Sequence, residues 1–202
     1  MTMGRWIFCL LAPVLIGFGC GTTHPDKSDF LSDQSTLHQG KYLQRWWTAG
    51  PIDKATLAKI YIEPVDVTRI KDYPEISASD ASNFVANTVF YRFWSNDKFT
   101  VVTNPADATV KIQLAITYLT PGNAAVRRNV AQWGLGYANV QLEGKVFDSK
   151  GAEIACFKER RYDSGSLGYE DYDYGNSGHK LVRRMLEEIC TNFVKELTAA
   201  SQ

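Results

Sequence analysis

The alternation of apolar and polar residues is most regular in the second half of the chain, where it predicts β-strands. A period of two places one set of side chains on a buried face and the other on a face in contact with water, as in an antiparallel sheet covered on one side. The turn Asp148–Gly151 predicts a hairpin, with Gly151 in the left-handed conformation. Five stretches have a strand pattern: 58–67, 99–102, 108–119, 137–147 and 153–162. The buried set in the third stretch is expected to be Val110, Ile112, Leu114, Ile116 and Tyr118.

Two further segments repeat apolar residues at three- and four-residue steps, the pattern of helices with one buried face. The first is expected to begin at Ser79 or Asp80, and the second at Ser177 or Gly178. The order is therefore strand, helix, four strands and helix. It predicts an α+β fold, a two-layer sandwich of a mainly antiparallel, mixed sheet of about five strands with two helices on one face.

The first twenty residues have the pattern of an export signal that ends at a lipidated cysteine. Arg5 precedes an apolar run of about 14 residues, and Cys20 follows that run directly. The run is shorter than the roughly 20 residues that span a bilayer, but it suits a secretory signal, whose apolar part has about 7–15 residues. Gly17 and Phe18 depart from the usual lipoprotein signal. The alternative is ordinary cleavage that releases a soluble periplasmic protein, with Cys20 incidental.

These patterns divide the chain into four parts. Residues 1–19 are a signal peptide and 20–29 a polar tether, which as a flexible chain reaches roughly 17 Å. Residues 30–57 form an extended aromatic segment on the domain, and 58–198 form the α+β domain. Residue 21 is not Asp, which is typical of transfer to the outer membrane of a Gram-negative cell. We therefore expect a periplasm-facing outer-membrane lipoprotein, held in the membrane through lipidated Cys20.

The extended segment contains two adjacent tryptophans, Trp46 and Trp47. Aromatic side chains dominate the burial in protein cores and also anchor interfaces with partners. We favour packing of both side chains onto the parent domain, and a partner-binding patch is the alternative.

Charge excludes two kinds of partner. The chain has 22 Lys plus Arg and 22 Asp plus Glu, and Arg5 is the only charged residue before Cys20, so the mature part is close to neutral. Domains that bind nucleic acid are usually strongly basic, and attachment to anionic membranes through a protein face also needs a basic patch. We expect neither.

Two cysteines, Cys156 and Cys190, remain as thiols once the signal is removed and Cys20 is acylated. An oxidising compartment favours a disulfide between them. They could equally be two small, buried, apolar side chains.

No motif in the chain has the context that catalysis needs. Gly134 and Gly136 lead into a predicted strand, whereas a dinucleotide-binding motif leads into a helix. The stretch 164–168 resembles a nucleophile elbow but has Ser164 where that motif needs its first glycine. The three histidines, His24, His38 and His179, give little basis for a triad or a zinc site. The sequence predicts no enzyme, no cofactor and no metal.

The irregular stretch 163–178 is the one cluster that resembles a site. Its acidic residues could hold calcium or carry a reaction, although their spacing departs from the known calcium loop. Tyrosines among glycines and serines are also typical of adaptable binding loops, which is the functional interpretation we favour. The alternative is a solvated loop whose tyrosines cover a sheet edge. The acidic residues are Glu170, Asp171 and Asp173, and the tyrosines are Tyr169, Tyr172 and Tyr174.

Three stretches resemble an uncharacterised bacterial lipoprotein family, the domain of unknown function numbered thirty-three thirteen. They are FLSDQSTLHQG at Phe30–Gly40, LAKIYIEPVDV at Leu57–Val67 and VQLEGKVFDSKGAEI at Val140–Ile154. GLGYANVQLEG is also similar to a neighbouring uncharacterised lipoprotein group. The resemblance implies an exported, lipid-anchored envelope protein with a fold similar to the amino-terminal domain of TolB, and it supplies no catalytic residues.

We therefore expect a lipid-anchored cell-envelope protein of unknown molecular activity that binds another envelope component. A structural subunit of a larger envelope complex, or an enzyme that uses the acids of 163–178, are the alternatives.

Overall fold

Six strands form one mixed sheet, in the order β1-β6-β5-β4-β2-β3. The structure is a computed structural model that describes residues 28–31, 33–74, 76–123, 126, 136–163 and 177–201. Its elements are β1 (Arg45–Thr48), β2 (Lys59–Ile62), α1 (Ala78–Trp94), β3 (Thr100–Val101), a 3₁₀ turn (Pro105–Asp107), β4 (Val110–Thr120), β5 (Ala138–Asp148), β6 (Glu153–Asp163) and α2 (Ser177–Ala200).

The pairing confirms the α+β sandwich and adds a strand to it. β1, β6, β5 and β4 pair antiparallel in turn, whereas β2 pairs in parallel with both β3 and β4. Both helices contribute to one core with the same face of the sheet. The sixth strand is β1, which lies in the segment predicted to be merely extended. The hairpin between β5 and β6 is as expected, and Gly151 has a φ of +82°.

Helix α1 begins earlier than the sequence suggested. Its N-cap is Ser77, whose hydroxyl accepts from the backbone N–H of Asp80 at 3.0 Å and donates to the Asp80 carboxylate at 2.8 Å. This reciprocal pair satisfies a backbone donor of the first turn and places an acid at the positive end of the helix. The prediction that Ser79 or Asp80 caps the helix is therefore wrong.

The second long helix packs on the middle of the sheet through aromatic rings. Phe157 of β6 stacks on Phe193 of α2, with ring centroids 4.6 Å apart and planes at 25°. Gly144 of β5 makes this possible, because a Cβ there would lie 2.2 Å from a ring carbon of Phe157. The two phenylalanines and this glycine set the distance between the helix layer and the sheet.

A bulge in β4 changes which residue faces the core. The register with β5 shifts between Ile116 and Tyr118. An extra residue turns the side chains that follow it to the other face of a strand. Leu119 therefore joins the core cluster, and the prediction that Tyr118 does so is wrong.

A buried carboxylate accepts hydrogen bonds from the backbone just before β1 and holds that segment in place. Glu196 of α2, only 6% exposed, accepts backbone hydrogen bonds from Lys41 at 2.9 Å, Tyr42 at 2.5 Å and Leu43 at 3.0 Å. Gly40 lets the carboxylate approach, since a Cβ there would lie 2.8 Å from it. One side chain thus satisfies three successive backbone donors.

Within the part of the chain that the structure describes, no helix is long and apolar enough to cross a membrane.

We predict that Glu196→Ala lowers the free energy of unfolding by about 2–5 kcal/mol, because a buried donor left without a partner costs about 1–3 kcal/mol. Urea unfolding followed by circular dichroism measures the loss. The matched control is Glu188→Ala, an exposed site on the same helix, which should change stability by less than about 0.5 kcal/mol. Equal effects of the two variants would show that the Glu196 contacts do not hold the segment.

Candidate functional site

The sheet face away from the helices carries a layer of buried polar side chains. Each of them is at most 9% exposed. The sequence predicted a face in contact with water here, and for β5 and β6 that prediction is wrong, because other parts of the chain cover the face. We call these residues the polar layer: Thr117, Asn139, Gln141, Glu143, Lys158 and Arg160.

Glu143 is the centre of the polar layer. Its carboxylate accepts from the Thr117 hydroxyl at 2.8 Å, the Gln141 amide at 2.7 Å and the Ser28 hydroxyl at 3.0 Å. The Lys158 ammonium lies 3.5 Å from the same carboxylate. A fully buried carboxylate is stable only with such partners, because burial removes the water that would otherwise solvate it.

Lys158 is the positive member of this ion pair and is 1% exposed. Burial lowers the pKa of its ammonium group, and the neighbouring Glu143 carboxylate opposes that shift. Lys158 also donates to the side-chain oxygen of Gln34 at 3.1 Å. The charged pair therefore has one partner from the amino-terminal segment on each side, Ser28 on the carboxylate and Gln34 on the ammonium.

Arg160 holds the other end of the polar layer. Its Nε donates to the Asn139 side chain at 3.1 Å. Its guanidinium lies over the ring of Tyr118 at 4.5 Å and over that of Tyr162 at 5.3 Å. The two aromatic rings hold the guanidinium in place and stabilise its positive charge through cation–π interactions.

A short amino-terminal segment, which we call the strap (residues 28–31 and 33–37), contacts the charged pair. Besides Ser28 and Gln34, it brings the ring of Phe30 to 5.1 Å from the Lys145 ammonium, and Leu31 is 4% exposed. Among the described residues, no backbone hydrogen bond joins the strap to the sheet. The strap is therefore held through its side chains.

Just beyond the strap, the backbone itself is fixed. His38 and Trp46 exchange backbone hydrogen bonds of 3.0 and 2.7 Å, and the Glu196 contacts follow immediately. Among the described residues, the chain before His38 is thus attached to the sheet through side chains, and from His38 onward its backbone is hydrogen-bonded as well.

Chemically, the polar layer offers a carboxylate and an ammonium side by side in a site from which water is largely removed. The carboxylate can accept from a hydroxyl or an N–H, and the ammonium can donate to a carbonyl. Among the residues that the structure describes, no group of three or more His, Cys, Asp or Glu side chains is placed to hold a metal ion.

A second candidate surface lies on the outer side of α1. Phe90, Tyr91 and Trp94 are 37%, 62% and 66% exposed, and their rings meet edge to face with centroids 5.7 and 6.4 Å apart. We call these three residues the aromatic patch. Exposed large aromatic groups in contact with each other are typical of interaction surfaces.

A groove between α1 and α2 continues from the aromatic patch. Its volume is about 570 Å³, and Tyr91 belongs to both features. The guanidinium of Arg183 lies 4.8 Å from the centre of the Phe84 ring, and both residues line the groove. Asn83 and Asn87 of α1 line it as well. Aromatic groups and arginine together are the residues that most often carry binding energy at interfaces.

The structure separates the two tryptophans that the sequence placed together. Trp46 is 3% exposed and lies in the core opposite Phe157, so it packs onto the parent domain and offers no surface to a partner. Trp47 is half-buried on the other face of the sheet, opposite Cys156. Its role as a partner contact stays a prediction.

Several predicted site residues lie outside the described residues. They are the lipidation site Cys20, the loop tyrosines Tyr169, Tyr172 and Tyr174, and the loop acids Glu170, Asp171 and Asp173.

The disulfide considered between Cys156 and Cys190 is not formed, since both are free, buried thiols. Cys156 alternates with the core residues Ala155 and Phe157, so its side chain lies on the polar-layer face. Cys190 lies in the core on the helix face. The sheet stands between the two sulfur atoms, and the alternative of two small buried side chains is the one observed.

Sequence reasoning missed both candidate surfaces. The aromatic patch could have been found, because Phe90, Tyr91 and Trp94 fall outside the buried stripe of Ala81, Val85, Val89 and Phe93. The polar layer gave no such signal, since alternating polar residues in a strand are also the pattern of a face in contact with water.

Comparison with known proteins shows only a similar arrangement of helices and strands in a few solved structures. No family model and no curated protein matches the chain. A DUF330 protein from Xanthomonas campestris is 13% identical with a TM-score of 0.44, covering 75% of this chain and 91% of that one. A DUF4136 protein from Bacteroides thetaiotaomicron is 9% identical with a TM-score of 0.42, covering 77% and 94%. The PelC dodecamer from Paraburkholderia phytofirmans is 15% identical with a TM-score of 0.40, covering 71% and 96%.

None of these likenesses assigns a role to a residue of this chain. Membership of the family numbered thirty-three thirteen, and the similarity to TolB, stay predictions.

We predict that a maleimide at pH 8 labels neither thiol in the folded protein. Burial and the nearby Glu153 raise the pKa of Cys156 to about 12, and burial also raises the pKa of Cys190, so little reactive thiolate forms. Mass spectrometry of the mature chain without residues 1–19, carrying Cys20→Ser, should show two labels once denaturant is added without reductant. A disulfide would instead block both labels until a reductant is present.

Proposed function

We propose that the chain is a lipid-anchored cell-envelope protein that acts by binding another envelope protein through the aromatic patch of α1. The exposure of Tyr91 and Trp94 is the observation that supports this most directly. Two large aromatic side chains that are about two-thirds exposed leave much apolar area in contact with water, and their described ring contacts are with each other and with Phe90.

The opposite side of α1 packs against the core of the domain. Ala81, Val85, Val89 and Phe93 face the core and are fully buried. The aromatic patch therefore adds nothing to the core, which makes a partner the best account of its composition. The Arg183 guanidinium in the adjoining groove extends the same surface with a charge that can pair with a carboxylate of the partner.

The anchor supports an envelope partner in particular. A lipidated Cys20 with a tether reaching roughly 17 Å would hold the domain at the membrane surface. Such confinement raises the effective concentration of the domain toward other proteins of that surface, so a patch of modest size can suffice for binding.

We predict that replacing Cys20 by Ser moves the protein from the membrane fraction to the soluble fraction. The acyl chains attached to the cysteine provide the attachment, at about 0.8 kcal/mol for each buried methylene. Fractionation of cells followed by immunoblotting measures the shift, and Cys9→Ser, within the signal, is the matched control. Retention of the Cys20→Ser protein in membranes would contradict the lipid anchor.

We predict that the double variant Tyr91→Ala, Trp94→Ala loses its partner while remaining folded. Loss of a hot-spot aromatic costs about 2 kcal/mol or more, so binding should weaken by at least about 30-fold. A photo-crosslinking residue at position 91, introduced in living cells, identifies the partner by mass spectrometry, and purified components then give the affinity.

The control for that experiment is Ser79→Ala, an exposed site at the far end of the same helix. It should bind like the unaltered protein. If position 91 yields no protein adduct, or only lipid adducts, the aromatic patch is not a protein-binding surface.

A further inference from the structure

We propose that the groove between α1 and α2 binds an extended segment of the partner protein, which presents an acidic side chain to Arg183 and, three residues away, an apolar side chain to Tyr91. This site adjoins the aromatic patch, so its occupant is the partner of the proposed function, on which the assignment rests. It adds the chemistry by which that partner is recognised.

Arg183 supplies the positive charge of the site. The residue is exposed, and its guanidinium lies 4.8 Å from the centre of the Phe84 ring. The carboxylate one turn further along α2, that of Glu187, is paired with Arg92 at 3.0 Å. A guanidinium held on an aromatic ring is pre-organised to take a carboxylate through two parallel N–H donors. Arg183 therefore favours an acidic group on the partner.

An acid that lines the same groove, Asp80, directs where that group lies. Its carboxylate accepts from the Ser77 hydroxyl at 2.8 Å in the cap of α1, which holds it at the amino-terminal end of the helix. Two carboxylates repel each other at close range. The acidic group of the partner is therefore expected at Arg183 and not at the amino-terminal end of α1.

Two asparagines of α1 supply a row of amides along the groove. Asn83 and Asn87 are exposed and lie one turn apart, which is about 6 Å along the helix axis. In an extended chain, every second residue presents its peptide groups to the same side, at a repeat of about 6.6 Å. Each asparagine amide has donors and an acceptor that match a peptide group. The row therefore fits an extended segment that runs along α1.

The positions of Phe84 and Tyr91 along α1 set the spacing of the recognised side chains. Phe84 carries the Arg183 guanidinium, and Tyr91 lies seven residues, or about 10 Å, further along the helix. Three residues of extended chain span about 10 Å. Side chains three residues apart point to opposite sides of such a chain, which matches a guanidinium from α2 and a ring from α1.

This row of groups is matched by a polypeptide and not by a small anion. A free carboxylate could pair with Arg183, but it would leave the asparagine amides and Tyr91 without contacts. A purely apolar partner would cover the aromatic patch and leave the guanidinium desolvated without an acceptor, which costs binding free energy. An acidic extended segment satisfies all of these groups together.

Two capped synthetic hexapeptides, SESSWS and SWSSES, test the site. They carry a glutamate and a tryptophan three residues apart in the two chain directions, and their acetyl and amide caps leave the glutamate as the only charge. The protein is the isotope-labelled mature chain, residues 20–202 with Cys20→Ser. An NMR titration gives the Kd and locates the site through the side-chain amide signals of Asn83 and Asn87.

We expect one of the two peptides to bind with a Kd of about 1 mM or below and to shift both asparagine signals. Glutamine in place of the glutamate should weaken binding at least about tenfold, because it removes a charge-assisted contact with the guanidinium. Arg183→Glu should weaken binding of the glutamate peptide by the same factor. A peptide with lysine in place of the glutamate should restore binding to that variant, which also shows that the variant is folded.

The matched control is Lys54→Glu, which makes the same change of net charge at an exposed site outside the groove. It should bind the glutamate peptide like the unaltered protein. An equal loss in Lys54→Glu and Arg183→Glu would show an effect of net charge alone and would overturn the site.

The site is also overturned if neither peptide binds at about 10 mM. Equal affinity for the glutamate and glutamine peptides, or binding that leaves both asparagine signals unmoved, would have the same consequence.

Cross-linking from position 91 in living cells separates this site from the proposed function. Loss of the partner adduct in Arg183→Glu supports both. If that variant keeps the adduct at full strength, the aromatic patch binds a partner and the acidic-segment site alone is wrong. If no adduct forms in the unaltered protein while the peptides bind as expected, the proposed function is wrong and the groove remains a site for acidic peptides.

Discussion

The carboxylate of Glu196 fixes where the amino-terminal part of the chain meets the domain. It takes three successive backbone donors before β1, and Glu159 of β6 takes the next one, from Gln44 at 2.6 Å. Burial raises the pKa of Glu159, while the Gln44 donor and the Arg161 guanidinium favour its charged form. Two buried acids therefore set the start of the edge strand, and through it the position of everything that precedes it.

The sheet that these acids complete has two unlike faces. One is a dry apolar core under two helices, centred on the stacked Phe157 and Phe193. The other holds buried charges that pair with each other and with polar groups of the sheet and of the strap. An apolar core gives most of the stability of a domain, whereas a buried ion pair adds little and requires its partners to be complete. The helix side therefore supplies most of the stability of the domain, and the opposite side holds polar groups that must keep their partners.

The sequence predicts the helix side well and the other side poorly, for a physical reason. Apolar periodicity arises from contact with the core, so α1, α2 and the long strands follow directly from it. Burial of Glu143 and Lys158 depends on a cover that comes from far away in the chain, since Ser28 and Glu143 are 115 positions apart. Local patterns carry no information about such a cover. The same limit hid β1, because its four residues become a strand only by pairing with β6.

Gly40 and Glu196 form a pair with a consequence for tracing the ancestry of this chain. Any side chain at position 40 would collide with the carboxylate of residue 196, and a shorter acid at 196 would retreat from the backbone donors it now satisfies. A side chain at position 40 therefore requires a change at position 196, whereas a shorter residue at 196 is compatible with Gly40 but gives up the backbone contacts. In divergent relatives that share too few residues for ordinary alignment, this correlated pair, 156 positions apart in the numbering, offers a marker of common descent.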